Sequence, residues 1–172
     1  MSFLARLFTR QPDPVEEWRP LWRAVVREAR DPAWYRSGGV ADTVEGRYDM
    51  LTLVLALVML RLEADRDDAA PATARLTELF AEDMEGQLRE QGIGDPTVGR
   101  KIAALMESLN GRIGAYRAGL ADGSPVLIEA LRRNVTLADP DAAETLNAQV
   151  QTLHARLAAT DGAALRQGEV AA

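Results

Sequence analysis

An all-α fold is what this sequence predicts: a single-domain bundle of about six or seven helices around a central apolar helix near residues 43–64. Three observations lead there. The chain is 47% hydrophobic but only 5% aromatic and is rich in Ala, Leu, Arg and Glu, all strong helix formers, while residues favoured in strands are sparse. Apolar residues recur at helical spacing in segments divided by Pro, Gly and Asp, with no hairpin signal or fixed-period repeat. A length of 172 residues suits one compact domain and is short for two.

Taken in order, residues 1–13 read as a short amphipathic segment, with Phe3, Leu4, Leu7 and Phe8 beside Arg6 and Arg10, ended by Pro12 and Pro14. Residues 15–30 place Trp18, Trp22, Val25, Val26 and Ala29 at helical spacing, with Pro20 marking either a break or the true start. Asp31-Pro32 reads as a stop, Trp34-Tyr35 as aromatic bulk and Ser37-Gly38-Gly39 as a turn. Asp42 or Thr43 then caps the longest apolar helix. Because residues 51–60 are apolar all round, that helix should be buried on most sides.

A loop is expected over residues 65–71 and an amphipathic helix over 72–91, with Leu76, Leu79, Phe80, Met84 and Leu88 inward and Gly92 as terminator. Asp95 as N-cap and Pro96 at the first position open a fifth helix running to Ala121. Its stripe is Val98, Ile102, Leu105, Met106, Leu109, Ile113, Tyr116 and Leu120. Gly111, Gly114 and Gly119 lie off that stripe, either tolerated near the helix end or placed where something packs closely. Further helices are expected over residues 126–137 and from Asp139-Pro140 to about 159, and residues 161–172 read as a frayed tail. The helical domain therefore spans 14–160.

Composition and motifs exclude more than they assign. With 20 Lys plus Arg against 26 acids, the net charge of −6 disfavours nucleic-acid binding. No cysteine is present, and His154 is the single histidine, so neither a metal set nor a histidine-based nucleophilic site is expected. His154 reads as a helix-surface residue, Glu82, Asp83 and Glu85 as a solvated helix face, and Gly92 and Gly94 as turn formers rather than a phosphate loop. No enzyme activity and no cofactor are expected. The N-terminal ten residues are not expected to act as a signal peptide, because Arg6 interrupts a short apolar stretch. The eleven residues from Met50 to Leu60 would span about 16 Å as a helix, too little for a hydrocarbon core of about 30 Å.

Four stretches carry a resemblance: Ala29-Arg-Asp-Pro-Ala-Trp-Tyr35, Gly39-Val-Ala-Asp-Thr-Val-Glu-Gly-Arg-Tyr-Asp-Met-Leu51, Phe80-Ala-Glu-Asp-Met84, and Leu88-Arg-Glu-Gln-Gly-Ile-Gly-Asp95 with Val98-Gly-Arg-Lys101. In order and spacing they resemble the ubiquinol–cytochrome c chaperone family, across roughly residues 21–120. Leu131-Arg-Arg-Asn-Val135 and the last helix resemble it more loosely. The resemblance implies an all-helical, non-enzymatic chaperone that helps cytochrome b reach the assembling cytochrome bc1 complex. Lacking a long N-terminal extension, the chain looks more like the bacterial form, expected in the cytoplasm and peripherally at the inner face of the membrane.

Two polar turns stand out as candidate partner contacts. In the first, Gly46, Arg47, Tyr48 and Asp49 occupy positions with no evident packing demand, Arg47 either pairing with an acid such as Asp83 or touching the client. The second comprises Gly94, Asp95, Arg100 and Lys101, with Arg112 on the same flank as Lys101, presenting positive charge to an acidic partner or simply solvated. For Phe3, Leu4, Arg6, Leu7 and Phe8 the alternatives are a membrane-surface contact, docking on the protein body, or fraying. A second functional class, a helical ligand- or lipid-binding or regulatory protein, is distinguished by a deep apolar cavity.

Overall fold

The apolar run becomes the axis of the bundle. The computed structural model describes residues 15–65 and 69–170, the side chains of Ala69 and Asp95 excepted, so the expectations for Phe3, Leu4, Arg6, Leu7 and Phe8 lie outside the described residues. Helix α3 (Val44–Ala64) starts where the Thr43 hydroxyl accepts a hydrogen bond from the Gly46 amide, which makes Thr43 rather than Asp42 the cap. Every residue from Thr52 to Met59 is buried. Around this helix pack α1 (Arg19–Ala29), α4 (Ala69–Glu90), α5 (Asp95–Asp122) and α7 (Ala143–Ala159), and α6 (Ser124–Asn134) folds back along α5. These six helices match the expected bundle.

Local chemistry explains the ends. Pro20 sits in the first turn of α1, where its missing N–H costs nothing, and a 3-10 turn (Glu16–Trp18) precedes it. Trp18, Leu21, Trp22 and Val25 are buried, and the Trp22 ring meets Phe80 of α4 edge-on at 6.2 Å. Asp31-Pro32 does more than stop α1. The Asp31 side chain accepts from the Ala33 amide and opens a five-residue helix, α2 (Pro32–Arg36), whose buried Trp34 donates its indole N–H to the Glu28 carbonyl at 2.8 Å. Gly92, with φ of +77°, ends the turn after α4 as expected. The cap of α5 is Gly94, however, one residue earlier than the sequence suggests, so Asp95 is already helical.

Residues 161–170 do not fray as expected. Residues Gly162–Arg166 form α8, capped by the Asp161 carboxylate, with Leu165 fully buried and the Arg166 guanidinium 4.7 Å from the Trp18 ring centre. Its order comes from docking on α1, a long-range contact that its short Gly/Ala-rich sequence does not announce.

Gly111, Gly114 and Gly119, in the second half of α5, divide. A methyl group at Gly119 would lie 2.7 Å from the Leu127 Cα, whereas one at Gly111 or Gly114 meets nothing within 4 Å. Gly119 is therefore the close-packing point that lets α6 fold against α5. We expect Gly119→Ala to cost about 1–3 kcal/mol through overpacking. Gly111→Ala and Gly114→Ala should each stabilise by about 1 kcal/mol through helix propensity. Urea unfolding of the three variants checks the opposite signs.

Candidate functional site

A cleft of about 930 Å³ opens between the end of α1, the first turns of α3, the second half of α4 and the middle of α5, and is closed by residues 133–136 at the end of α6 and just beyond it. Val26, Leu51, Met84, Leu88 and Leu105 supply its apolar lining. Of these, Leu51, Leu88 and Leu105 keep part of their surface open.

The polar part of the cleft is a single buried network. Asp49, projecting from α3, pairs with Arg112 of α5 at 2.7 Å, with side-chain exposures of 9% and 13%. Its other carboxylate oxygen accepts from the Thr136 amide at 2.8 Å and the Thr136 hydroxyl at 2.7 Å. Arg112 donates in turn to the Asn134 carbonyl (2.6 Å), the Thr52 hydroxyl (3.1 Å) and the Ser108 hydroxyl (3.3 Å), and lies 5.5 Å from the Tyr48 ring centre. One ion pair thus ties α3, α5 and the segment after α6 together. Burial pushes the nearby Tyr116 phenol above its ordinary pKa, while the Arg112 charge pulls the other way. Tyr48 shifts upward for the same first reason.

Near the mouth lies a smaller hollow of about 240 Å³, bordered by Arg30, Pro32, Tyr35, Arg36, Asp42 and Arg47. Arg47 pairs with Asp42 at 2.7 Å and stands 6.0 Å from the Tyr35 ring centre. That hydrogen bond holds the Asp42 carboxyl below its usual range. The Tyr35 hydroxyl donates to the Ala29 carbonyl at 2.8 Å, which fixes the ring at the end of α1.

The structure brings Arg47, Tyr48, Asp49, Asp83 and Arg112 into one cleft. Three expectations need correction. Arg47 pairs with Asp42, not Asp83, whose carboxylate accepts from Gln87. Arg112 is neither solvated nor free for an acidic partner, because Asp49 and three hydrogen-bond acceptors engage it. Packing does demand two residues of the first turn: Gly46, against the Ala41 carbonyl, and Asp49, through the network.

Gly94, Arg100 and Lys101 are exposed and do not line the cleft, and the Asp95 side chain lies outside the described residues. His154 is half-exposed on α7, also away from it. Leu51, Leu88, Leu105, Arg30, Arg133 and Thr136 were not singled out as candidate contacts in the sequence. Arg30, Leu51 and Leu88 do lie in the blocks that carry the resemblance, and Arg133 in the looser one. Among the described residues, no three His, Cys, Asp or Glu side chains cluster to hold a metal, and no helix is long and apolar enough to cross a membrane.

Comparison with known proteins gives the fold a context. A family model described as "Ubiquinol-cytochrome C chaperone" matches residues 36–172. The crystal structure of the Cbp3 homolog from Brucella abortus superposes with a TM-score of 0.78 at 30% identity, covering 98% of this chain and 95% of that one. No curated protein sequence matches. The family model takes in α3 to α8 and most of the cleft lining, and the chain belongs to the ubiquinol–cytochrome c chaperone family.

Proposed function

We propose that this protein is a non-enzymatic assembly chaperone whose cleft holds an apolar helix of cytochrome b, or of an intermediate containing it, during biogenesis of the cytochrome bc1 complex. The observation that carries this reading is the partly open apolar surface of Leu51, Leu88 and Leu105 inside a cleft built by the family's motif blocks. Such a surface is stabilised when a partner's apolar side chains replace water on it. The Asp49–Arg112 network holds α3 and α5 at the spacing that keeps the cleft open.

Two measurements test the proposal. Deleting the gene in its host should lower assembled bc1 complex, and unchanged cytochrome b and bc1 activity would sink the idea. A photoreactive amino acid at Leu105 should capture cytochrome b, while the same group at the exposed Arg100 should capture it far less. A Leu105→Glu variant leaves a charge where the client's apolar surface must seat, and we expect it to reduce client capture at least about tenfold, since a desolvated, unpaired carboxylate costs more than 1.4 kcal/mol. Pull-down of cytochrome b at equal chaperone concentration gives that ratio.

A second reading, a helical protein that binds a small apolar or lipid molecule, draws on the same cleft, whose volume falls within the range of about 300–1,000 Å³ usual for ligand pockets. Native mass spectrometry decides between them: a stoichiometric ligand retained by the purified protein favours this second reading, and its absence alongside cytochrome b capture favours the first.

A further inference from the structure

The cleft and the hollow beside it differ in charge. In the cleft, the charged groups without an ion-pair partner among the described residues offset one another, Arg30 and Arg133 against Glu45 and Asp83. The hollow is bordered by Arg30, Arg36 and Arg47 against Asp42 alone. Asp42 is already taken by Arg47, and Arg30 and Arg36 are exposed with no acidic partner among the described residues. On a chain with a net charge of −6, the hollow has three arginines to one carboxylate on its border, and since Arg30 is shared with the cleft, Arg36 is the positive charge left over beside it.

Size limits what the cleft takes. A helix about 10–12 Å wide with a pitch of about 5.4 Å occupies about 400–600 Å³ per turn, so 930 Å³ accommodates about two turns. A bilayer-spanning helix needs about 20 residues. The cleft therefore grips only part of such a segment, and what flanks the gripped turns emerges at the mouth, where the two volumes share Arg30 and Arg47.

We infer that the hollow is an acid-recognition site: Arg30 and Arg36 receive an Asp or Glu side chain flanking the apolar helix held in the cleft. The inference rests on the cleft reading above and adds a polarity to it. Apolar contact supplies most of the affinity, whereas the arginines select which end of an apolar segment enters and reject segments flanked by basic residues. Arg47 is a positioning residue here. Stacked toward Tyr35 and held by Asp42, it walls the hollow and leaves Arg30 and Arg36 to make the contact.

The test uses the full chain and two synthetic helices of about 20 apolar residues, one ending in two glutamates and the other in two lysines, in the same non-ionic detergent. Fluorescence anisotropy should show the glutamate helix binding about fivefold more tightly, the ratio expected from two exposed charge contacts of about 0.5 kcal/mol each. Raising the salt to about 0.5 M should remove most of that preference by screening. In an Arg30→Glu/Arg36→Glu variant the preference should invert, with an unchanged melting temperature, because neither arginine has a folded-state ion pair to lose. Leu105→Glu should weaken both helices equally.

Equal binding of the two helices, or a charge-reversed variant that still prefers glutamate, overturns the inference and leaves the cleft reading standing. Failure of either helix to bind the unaltered chain overturns both. A third arm uses vesicles with and without anionic lipid. Arginine-dependent binding to anionic vesicles, with no preference between the helices, assigns the hollow to a lipid headgroup and also overturns the inference.

Discussion

Replacing Arg112 with alanine should lower the unfolding free energy by about 3–5 kcal/mol, because it strands the Asp49 carboxylate in a site that is almost closed to water. For a chain of this size that corresponds to a fall in melting temperature of roughly 10 °C. The loss is large for a reason beyond the ion pair itself. Arg112 also satisfies the Asn134 carbonyl and the Thr52 hydroxyl, so α3 and the end of α6 lose a common partner at once. The Asp49→Ala variant should be similarly damaging, since it leaves a guanidinium buried and frees both Thr136 donors. Each carries a penalty that the other relieves. The double variant should therefore cost clearly less than the sum, with a coupling energy of up to about 3 kcal/mol. A chemical-denaturation cycle over the four proteins measures it, and additive losses would show that the two side chains do not share a site. Because the network sets the spacing of α3 and α5, client capture by either single variant should fall together with stability, unlike that of Leu105→Glu, which leaves the Asp49–Arg112 network in place.

Gly46→Ala should be the second most damaging single change, at about 3 kcal/mol. A methyl group at this position points into the Ala41 carbonyl, and that carbonyl has little freedom to retreat. It accepts from the Thr43 amide at 2.9 Å, while the Ala41 amide donates to the Thr136 carbonyl, also at 2.9 Å. Moving it disturbs the cap of α3 and the same Thr136 that braces Asp49. Gly111→Ala provides the contrast, with the same chemical change on an open helix face. Thermal melts of both variants check the difference, and a Gly46→Ala protein within about 0.5 kcal/mol of the parent would put it among ordinary surface substitutions and against this account.

How a residue reads in sequence depends on how far away its partner lies. Thr43 was recognisable as a cap because its acceptor role is completed three residues later, by the Gly46 amide. The stripe of α5 was recognisable because its period is intrinsic to the helix, and Val98, Leu109 and Tyr116 are indeed buried. Gly46 and Gly119 were visible only as glycines, since their obstacles, Ala41 and Leu127, lie across a turn and on the next helix. Asp49 and Arg112 read as candidate partner contacts on two separate helices, not as each other's partner. Nothing within a turn of either reveals that each neutralises the other.

By itself, the sequence determined the helical class, the buried central helix, most helix boundaries to within a few residues and the family. Those properties are written in local periodicity, caps and breakers, and in ordered motif blocks that persist without reference to distant neighbours. Only the tertiary structure decided that α8 docks against α1, that Arg112 is bound inside rather than offered outside, and that Arg30 and Arg36 gather beside an apolar cleft. The physical reason is the same each time. Whether a charge is spent in an internal pair or left available is settled by which helices pack together, and packing is a property of pairs of segments that no single segment carries.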